Sequence, residues 1–323
     1  SHFALSLYHA PPMLRFLAVR LLQFPLVLAV IYLITFLLVW VAPGSPFERT
    51  DRKLDPRVLE QIKVRMHAQN AWTFLAWYPR NLVLHGDFGY SLNYEEWTVN
   101  DILKSALPVS LTLGMFGLTI ATFAGVALGA LAAVRRGGPL DFLSLALALI
   151  GISVPSFVTA AGLLVAFAVK VHWFPVGGWG SLRDLVLPGI ALSLLPMAYI
   201  ARLTRAAMLD ILGSDYVRTA RAKGLSRSKV IWKHCLRNAC LPVLSYLGPA
   251  AAAALTGSFV VEKVFNIPGL GQHFVNSVLN RDQTLVLGTV IVYSAFLLTL
   301  NLLVDVGYAF IDPRIDIVNA KAP

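Results

Sequence analysis

Charge is scarce in this chain. Asp, Glu, Lys and Arg make up only 14% of its 323 residues against 57% hydrophobic, and mean hydropathy is +0.68, which excludes an ordinary soluble domain. Cysteine is scarcer still. Cys235 and Cys240 are the only two, too few for a disulfide framework or a zinc site, so both read as small buried thiols. The seven histidines, at 2, 9, 67, 85, 172, 234 and 273, show no metal-ligand spacing. No glycine-rich loop ends in Gly-Lys-Ser or Gly-Lys-Thr, so the chain does not bind or hydrolyse ATP by that route. Gly257-Ser258 and His273 lack the second histidine and oxyanion donors that an intramembrane serine protease requires. Carboxylates are almost missing from the long apolar runs, which argues against proton-coupled transport, where such groups carry the ion. An ion-coupled secondary transporter of small solutes is the main alternative from another class.

What is abundant is apolar sequence in long runs. Crossing about 30 Å of hydrocarbon takes roughly 20 residues of helix, with every backbone hydrogen bond made internally. Six runs qualify: 17–40, 107–134, 142–169, 185–203, 241–261 and 284–303. The expected fold is an all-α membrane protein with six transmembrane helices. The first run is too long for a signal peptide and lacks a small-residue cleavage site; residues 1–12 fit no span and read as an extension ahead of Met13.

Six crossings put both termini on one side, and the short loops say which. With the termini inside, fifteen of the 27 Lys and Arg fall on internal segments against five acids, while the external segments carry 12 bases and 11 acids. The net charge of +10 is thus almost wholly a positive-inside signature, not a nucleic-acid footprint. Six of the seven tryptophans, Trp40, Trp72, Trp77, Trp97, Trp173 and Trp179, fall at or beyond the outer boundary, as an interfacial belt requires.

Between the spans, 43–104 reads as a small outer cap with an amphipathic helix over 56–75. It is a lid, a docking surface for an external protein or a spacer. In the third external loop, Asn266-Ile267-Pro268-Gly269-Leu270-Gly271 forces a compact turn. Glu262 and Lys263 are placed at the outer boundary, and Asp305, near the inner one, is a candidate structural ion pair with Arg20 or Arg202. Gly114, Gly117, Gly125 and Gly129 place small residues at helical spacing in the second run, and Ala250 to Ala254, Gly257 and Ser258 do so in the fifth. Close helix packing is their expected role, with lining of a substrate route the sharper alternative. Gly248-Pro249 should kink the fifth helix and is a candidate hinge.

The most telling stretch is basic: residues 215–242, DYVRTARAKGLSRSKVIWKHCLRNACLP, between two apolar runs. Ser214 or Asp215 is a good N-cap and Gly224 suits a left-handed C-terminal cap. Ser226 restarts a helix that carries Val230, Ile231, Cys235 and Leu236 against Arg227, Lys229, Lys233 and Arg237. Two short helices joined at a glycine corner are expected. Lipid-headgroup binding is one role for such a pair; presenting a face to a soluble partner is the other.

Tyr216-Val217-Arg218-Thr219-Ala220-Arg221-Ala222-Lys223-Gly224-Leu225, followed by Arg237-Asn238-Ala239 and Leu241-Pro242, resembles the cytoplasmic coupling motif of ABC importer permeases of the dipeptide/oligopeptide/nickel family. The resemblance extends to Gly86-Asp87-Phe88-Gly89-Tyr90-Ser91, Ala132-Ala133-Val134-Arg135-Arg136-Gly137, Phe265 to Gly271, and Asn301-Leu302-Leu303-Val304-Asp305 with Tyr308 and Asp312-Pro313-Arg314. Where the general importer motif has Glu-Ala-Ala, this chain has Arg218-Thr219-Ala220, as in the peptide branch. The resemblance implies a type I ABC importer permease fold: N-terminal segment 1–16, first transmembrane helix 17–42, extracytoplasmic cap 43–104, permease domain 105–311 with a coupling loop at about 206–240, and cytoplasmic tail 312–323. It further implies a non-enzymatic inner-membrane transport subunit that moves di- or oligopeptides or similar solutes. The implied partners are a second homologous permease, two ABC ATPase subunits holding ATP and Mg, and an external solute-binding protein; the chain itself would hold no cofactor. Tyr216, Arg218, Thr219, Ala220, Arg221, Ala222, Lys223, Gly224 and Leu225 would form the ATPase contact.

Overall fold

The computed structural model describes residues 12–42 and 70–311, except 92, 93, 95 and 96, together with 60 and 64; for 12–17, 253, 256, 257, 305 and 307–311 it describes the backbone alone. The helices are α1 (Pro12–Val41), α2 (Ala71–His85), α3 (Val99–Val134), α4 (Pro139–Ser153), α5 (Ser156–Leu163, continued by a π-helical turn, Leu164–Lys170) and α6 (Leu182–Leu212). There follow α7 (Asp215–Ala222) and α8, which joins Arg227–Lys229, a π-helical turn Val230–Cys235 and Leu236–Ala239. The last three are α9 (Leu241–Val264), α10 (Leu270–Leu279) and α11 (Gln283–Ile311). Among the described residues the only β pairing is an isolated bridge between Tyr90 and Thr98.

Among the described residues, four helical stretches are long and apolar enough to cross a membrane: Ala18–Val41, Val99–Val134, Leu182–Leu212 and Gln283–Val304. The expectation of one helix over 142–169 is corrected. That run breaks between α4 and α5, whose axes differ by 107°, and the two make a fifth crossing only if taken together. Pro155 causes the break, because its ring pushes the preceding residue out of helical geometry; Val154 is extended, with φ −96° and ψ 121°. In α9 the described apolar stretch is the shorter Leu241–Ala252. Proline does not interrupt this helix: Gly248 is buried and Pro249 exposed within a continuous Leu241–Val264.

The chain divides into two compact units, residues up to 108 together with those from 272 onward, and residues 109–271. In the first, Tyr32, Phe36 and Trp40 recur every four residues along α1 and so share one face. They meet Phe74, Trp77 and Tyr78 of α2 and Leu287 of α11 in an aromatic cluster. Tyr32 and Tyr78 stack at 5.9 Å, and each buried hydroxyl finds a carbonyl: Tyr32 donates to Leu75 O and Tyr78 to Thr284 O. Most of the expected amphipathic helix over 56–75 lies outside the described residues. At its end Asn70 caps α2 instead, its side chain accepting from Trp72 N.

The Gly86 to Ser91 motif ties the chain that follows α2 to the start of α11. Gly86 ends α2 at φ +64°, Asp87 accepts from Gly89 N, and Asn100 accepts from Phe88 N. Thr284 then donates to the Tyr90 carbonyl, and Ser91 donates to the buried Asp282. Asp282 also accepts from Leu285 N, so it caps the first turn of α11.

In the second unit the glycine positions of α3 act as packing residues. A β-carbon at Gly117 would stand 3.1 Å from Leu192 Cβ, one at Gly125 2.9 Å from the Met197 carbonyl, and one at Gly129 against the Ala201 carbonyl and 2.7 Å from Thr204 Cβ. These three form a strip that lets α6 approach backbone to backbone. Gly114 faces Leu255 of α9.

Candidate functional site: the coupling corner

The basic stretch folds as its sequence implies. α7 ends at Ala222, and Gly224 turns the chain with φ +78°, the left-handed conformation that glycine adopts without cost. Ser226 then caps α8, accepting from Lys229 N at 3.4 Å. Ser214 does not cap α7 with its side chain, since its hydroxyl donates backwards to the Ile211 carbonyl.

A small core anchors this corner. Val217, Val230, Ile231, Cys235 and Ala239 are buried together with Met208 from the end of α6 and with Ala130 and Ala133 from the end of α3. α7 therefore contributes one fully buried side chain, Val217, and is held by the ends of α3 and α6 and by α8. Asn238 of α8 also donates to the Tyr216 hydroxyl at 3.2 Å. Cys235 and Cys240 are free; burial pushes the Cys235 thiol up from its ordinary value, so it is a packing group, not a nucleophile.

Of the nine residues expected at the partner contact, seven lie exposed: Tyr216, Arg218, Thr219, Arg221, Ala222, Lys223 and Gly224. The other two, Ala220 and Leu225, are half-buried against the corner's own core. Arg218 stands 3.4 Å from Asp215 on the open surface, a pair worth little in water. The exposed face is thus strongly cationic, rigidly backed and open.

An ion pair absent from the sequence reading ties the neighbouring helices. Arg205 grips Asp141 with two hydrogen bonds, Nε to Oδ1 at 2.6 Å and Nη2 to Oδ2 at 3.0 Å. Asp141 Oδ2 also accepts from Gly137 N. The carboxylate therefore fixes the turn between α3 and α4 and joins it to α6 two turns before that helix ends at the basic corner. The pair expected at Asp305 involves a side chain outside the described residues; Arg202 is exposed.

Glu262, expected at the outer boundary, is fully buried at the end of α9, and its Oε2 accepts from Gly271 N at 2.8 Å. Ser110 Oγ accepts from Leu270 N at 2.8 Å. Together they cap the first turn of α10. The expected turn is compact: Asn266 takes φ +49°, and a β-carbon on Gly269 would stand 2.6 Å from both Glu262 Cδ and Ser110 Oγ. An acid at the edge of an apolar run was the signal to follow. Glu262→Ala is expected to lower stability by about 2 kcal/mol or more, because a buried N–H loses its acceptor. Glu262→Gln, which keeps a carbonyl oxygen there, should cost clearly less. Thermal unfolding of the solubilised protein reads the difference, and equal stability of Glu262→Ala and wild type would contradict the cap.

Comparison with known proteins agrees with this architecture. The chain is 43% identical over 303 residues to the dipeptide transport system permease protein of Bacillus subtilis, covering 94% of this chain and 98% of that protein. It is 42% identical over 305 residues to the oligopeptide transport system permease protein of Escherichia coli, covering 94% and 99%. A crystal structure of an amino acid ABC transporter with histidines shares the fold, with TM-score 0.51 at 19% identity over 65% of this chain and 94% of that one. Residues 125–317, which include the basic corner, the Asp141–Arg205 pair and the Glu262 cap, match the family described as binding-protein-dependent transport system inner membrane component. This multi-pass membrane chain belongs to that family.

Proposed function

We propose that the chain is a permease subunit of an ATP-driven importer of di- or oligopeptides in a bacterial cytoplasmic membrane. The observation that carries the reading is α7: a short cationic helix, exposed on one side and held on the other by a core that it shares with α3, α6 and α8. Such a helix hands a push on its outer face to α3, α6 and α8 together, because a packed core moves as a block. The names of the two relatives support the peptide cargo. The chain counts six crossings, with α4 and α5 taken as one and α9 as another, and both termini are cytoplasmic. A second permease completes the route, two ATPases meet α7 and its counterpart, and a solute-binding protein delivers cargo from outside. ATP and Mg belong to the ATPases, and this chain holds no cofactor and catalyses no reaction. Gly248-Pro249 serves as the hinge of α9.

The test is uptake of a labelled dipeptide into vesicles that contain the whole transporter and its binding protein. Uptake is expected to require ATP and to persist after a protonophore collapses the proton gradient. Uptake that follows the gradient and ignores ATP would establish an ion-coupled carrier instead.

A further inference from the structure

In the first unit a cavity of about 350 Å³ lies among α1, α10 and α11. That size falls within the range of about 300–1,000 Å³ typical of small-molecule sites. Its walls are mainly apolar, made by Leu38 and Val39 of α1, Phe274 and Val278 of α10, and Val286 and Val290 of α11, with Thr35 and Gln283 as polar members. Leu38 and Val278 are 68% and 49% exposed, so the cavity opens toward whatever surrounds the helices. Arg281, which also lines it, has a positive φ of 57°, a conformation uncommon for a residue with a side chain. It makes no side-chain ion pair or hydrogen bond among the described residues. The adjacent carboxylate does not neutralise it, because Asp282 is turned inward onto Ser91, Thr284 and Leu285 N.

An apolar slot with one unpaired guanidinium at a helix end has the chemistry of an amphiphile site. We propose that this cavity holds one acyl chain of an anionic phospholipid whose headgroup phosphate is bound by Arg281. The phosphate accepts from the planar guanidinium, a geometry that favours arginine over other cations. The acyl chain fills a space that the protein leaves without side chains, restoring the contacts an empty cavity forfeits. The cavity lies where α1 ends and α11 begins, and Trp40 of the same α1 turn marks an interface-type position. The inference rests on α1 and α11 crossing a bilayer and not on the cargo or the ATPase contact.

The test uses the whole transporter in nanodiscs of phosphatidylcholine doped with phosphatidylglycerol that carries a photoactivatable group on one acyl chain. Cross-links mapped by mass spectrometry are expected to concentrate on residues 35–42 and 286–290. Arg281→Asn tolerates the left-handed backbone but removes the cation, and it should reduce this labelling at least about tenfold, the size of one charge-assisted hydrogen bond. Arg281→Lys should retain most of it. Val290→Trp, or Thr35→Phe if the former does not assemble, should fill the slot and abolish labelling there. Labelling spread evenly along α1 and α11, equal labelling in Arg281→Asn, or equal competition by unlabelled phosphatidylcholine would each overturn the site. Normal labelling in a transporter that fails to import peptide would leave this site standing and count against the transport reading alone.

Discussion

A transporter carrying Gly224→Val is expected to import at less than about a tenth of the wild-type rate while its ATPases continue to turn over. Gly224 has φ +78° and nothing within 4 Å of the position a β-carbon would take, so the substitution meets no clash. Its cost is conformational: a left-handed β-branched residue is strained by about 1–2 kcal/mol or more, and each 1.4 kcal/mol is worth a factor of ten. Relief of that strain would reopen the corner and change the angle at which α7 is presented, with Val217 still anchored in the buried core. Gly224→Asn, which tolerates the left-handed region, should import nearly normally. Uptake and phosphate release are measured side by side in proteoliposomes. Normal import by Gly224→Val would remove the corner from the coupling path.

Gly129→Leu is expected to prevent stable folding of the second unit, whereas Gly114→Ala should be tolerated. At Gly129 an added side chain meets backbone, the Ala201 carbonyl and, at 3.1 Å, Arg205 N. Backbone cannot swing aside, so α3 and α6 would have to separate, and overpacking of this kind costs about 1–3 kcal/mol or more. The displacement also falls on the turn that bears Arg205 and so strains its grip on Asp141. At Gly114 the nearest atom, 2.7 Å away, is the tip of the Leu255 side chain, which can change rotamer. Yield and thermal stability of the two solubilised variants are the measurements; equal stability would mean that the glycine strip is not a packing surface.

These two residues mark what could be read in advance. Gly224 was legible because its meaning is local: glycine after a basic helix and before a serine cap specifies a left-handed corner whatever surrounds it. Gly129 was legible as a small residue at helical spacing, but its partner helix was not. Asp141 and Arg205 stand 64 residues apart, and no periodicity links them. Glu262 was legible as an acid at the end of an apolar run, but not its burial against Gly271 N, because hydropathy does not record which backbone groups a carboxylate meets. The Pro155 break was visible as a proline, yet the apolar run around it reads as one span, since composition does not record direction.

The sequence by itself determined a helical membrane protein and a basic stretch that turns at a glycine between two short helices. Hydrophobicity, charge and backbone conformational preference are properties of residues and their near neighbours, so they survive in one dimension. Only the tertiary structure decided that α4 and α5 bend by 107°, that Glu262 and Ser110 close the turn into α10, that Arg205 and Asp141 brace the helices behind the corner, and that a cavity stands beside Arg281. Each of those depends on groups from distant parts of the chain meeting at hydrogen-bond or van der Waals distance, which packing alone arranges.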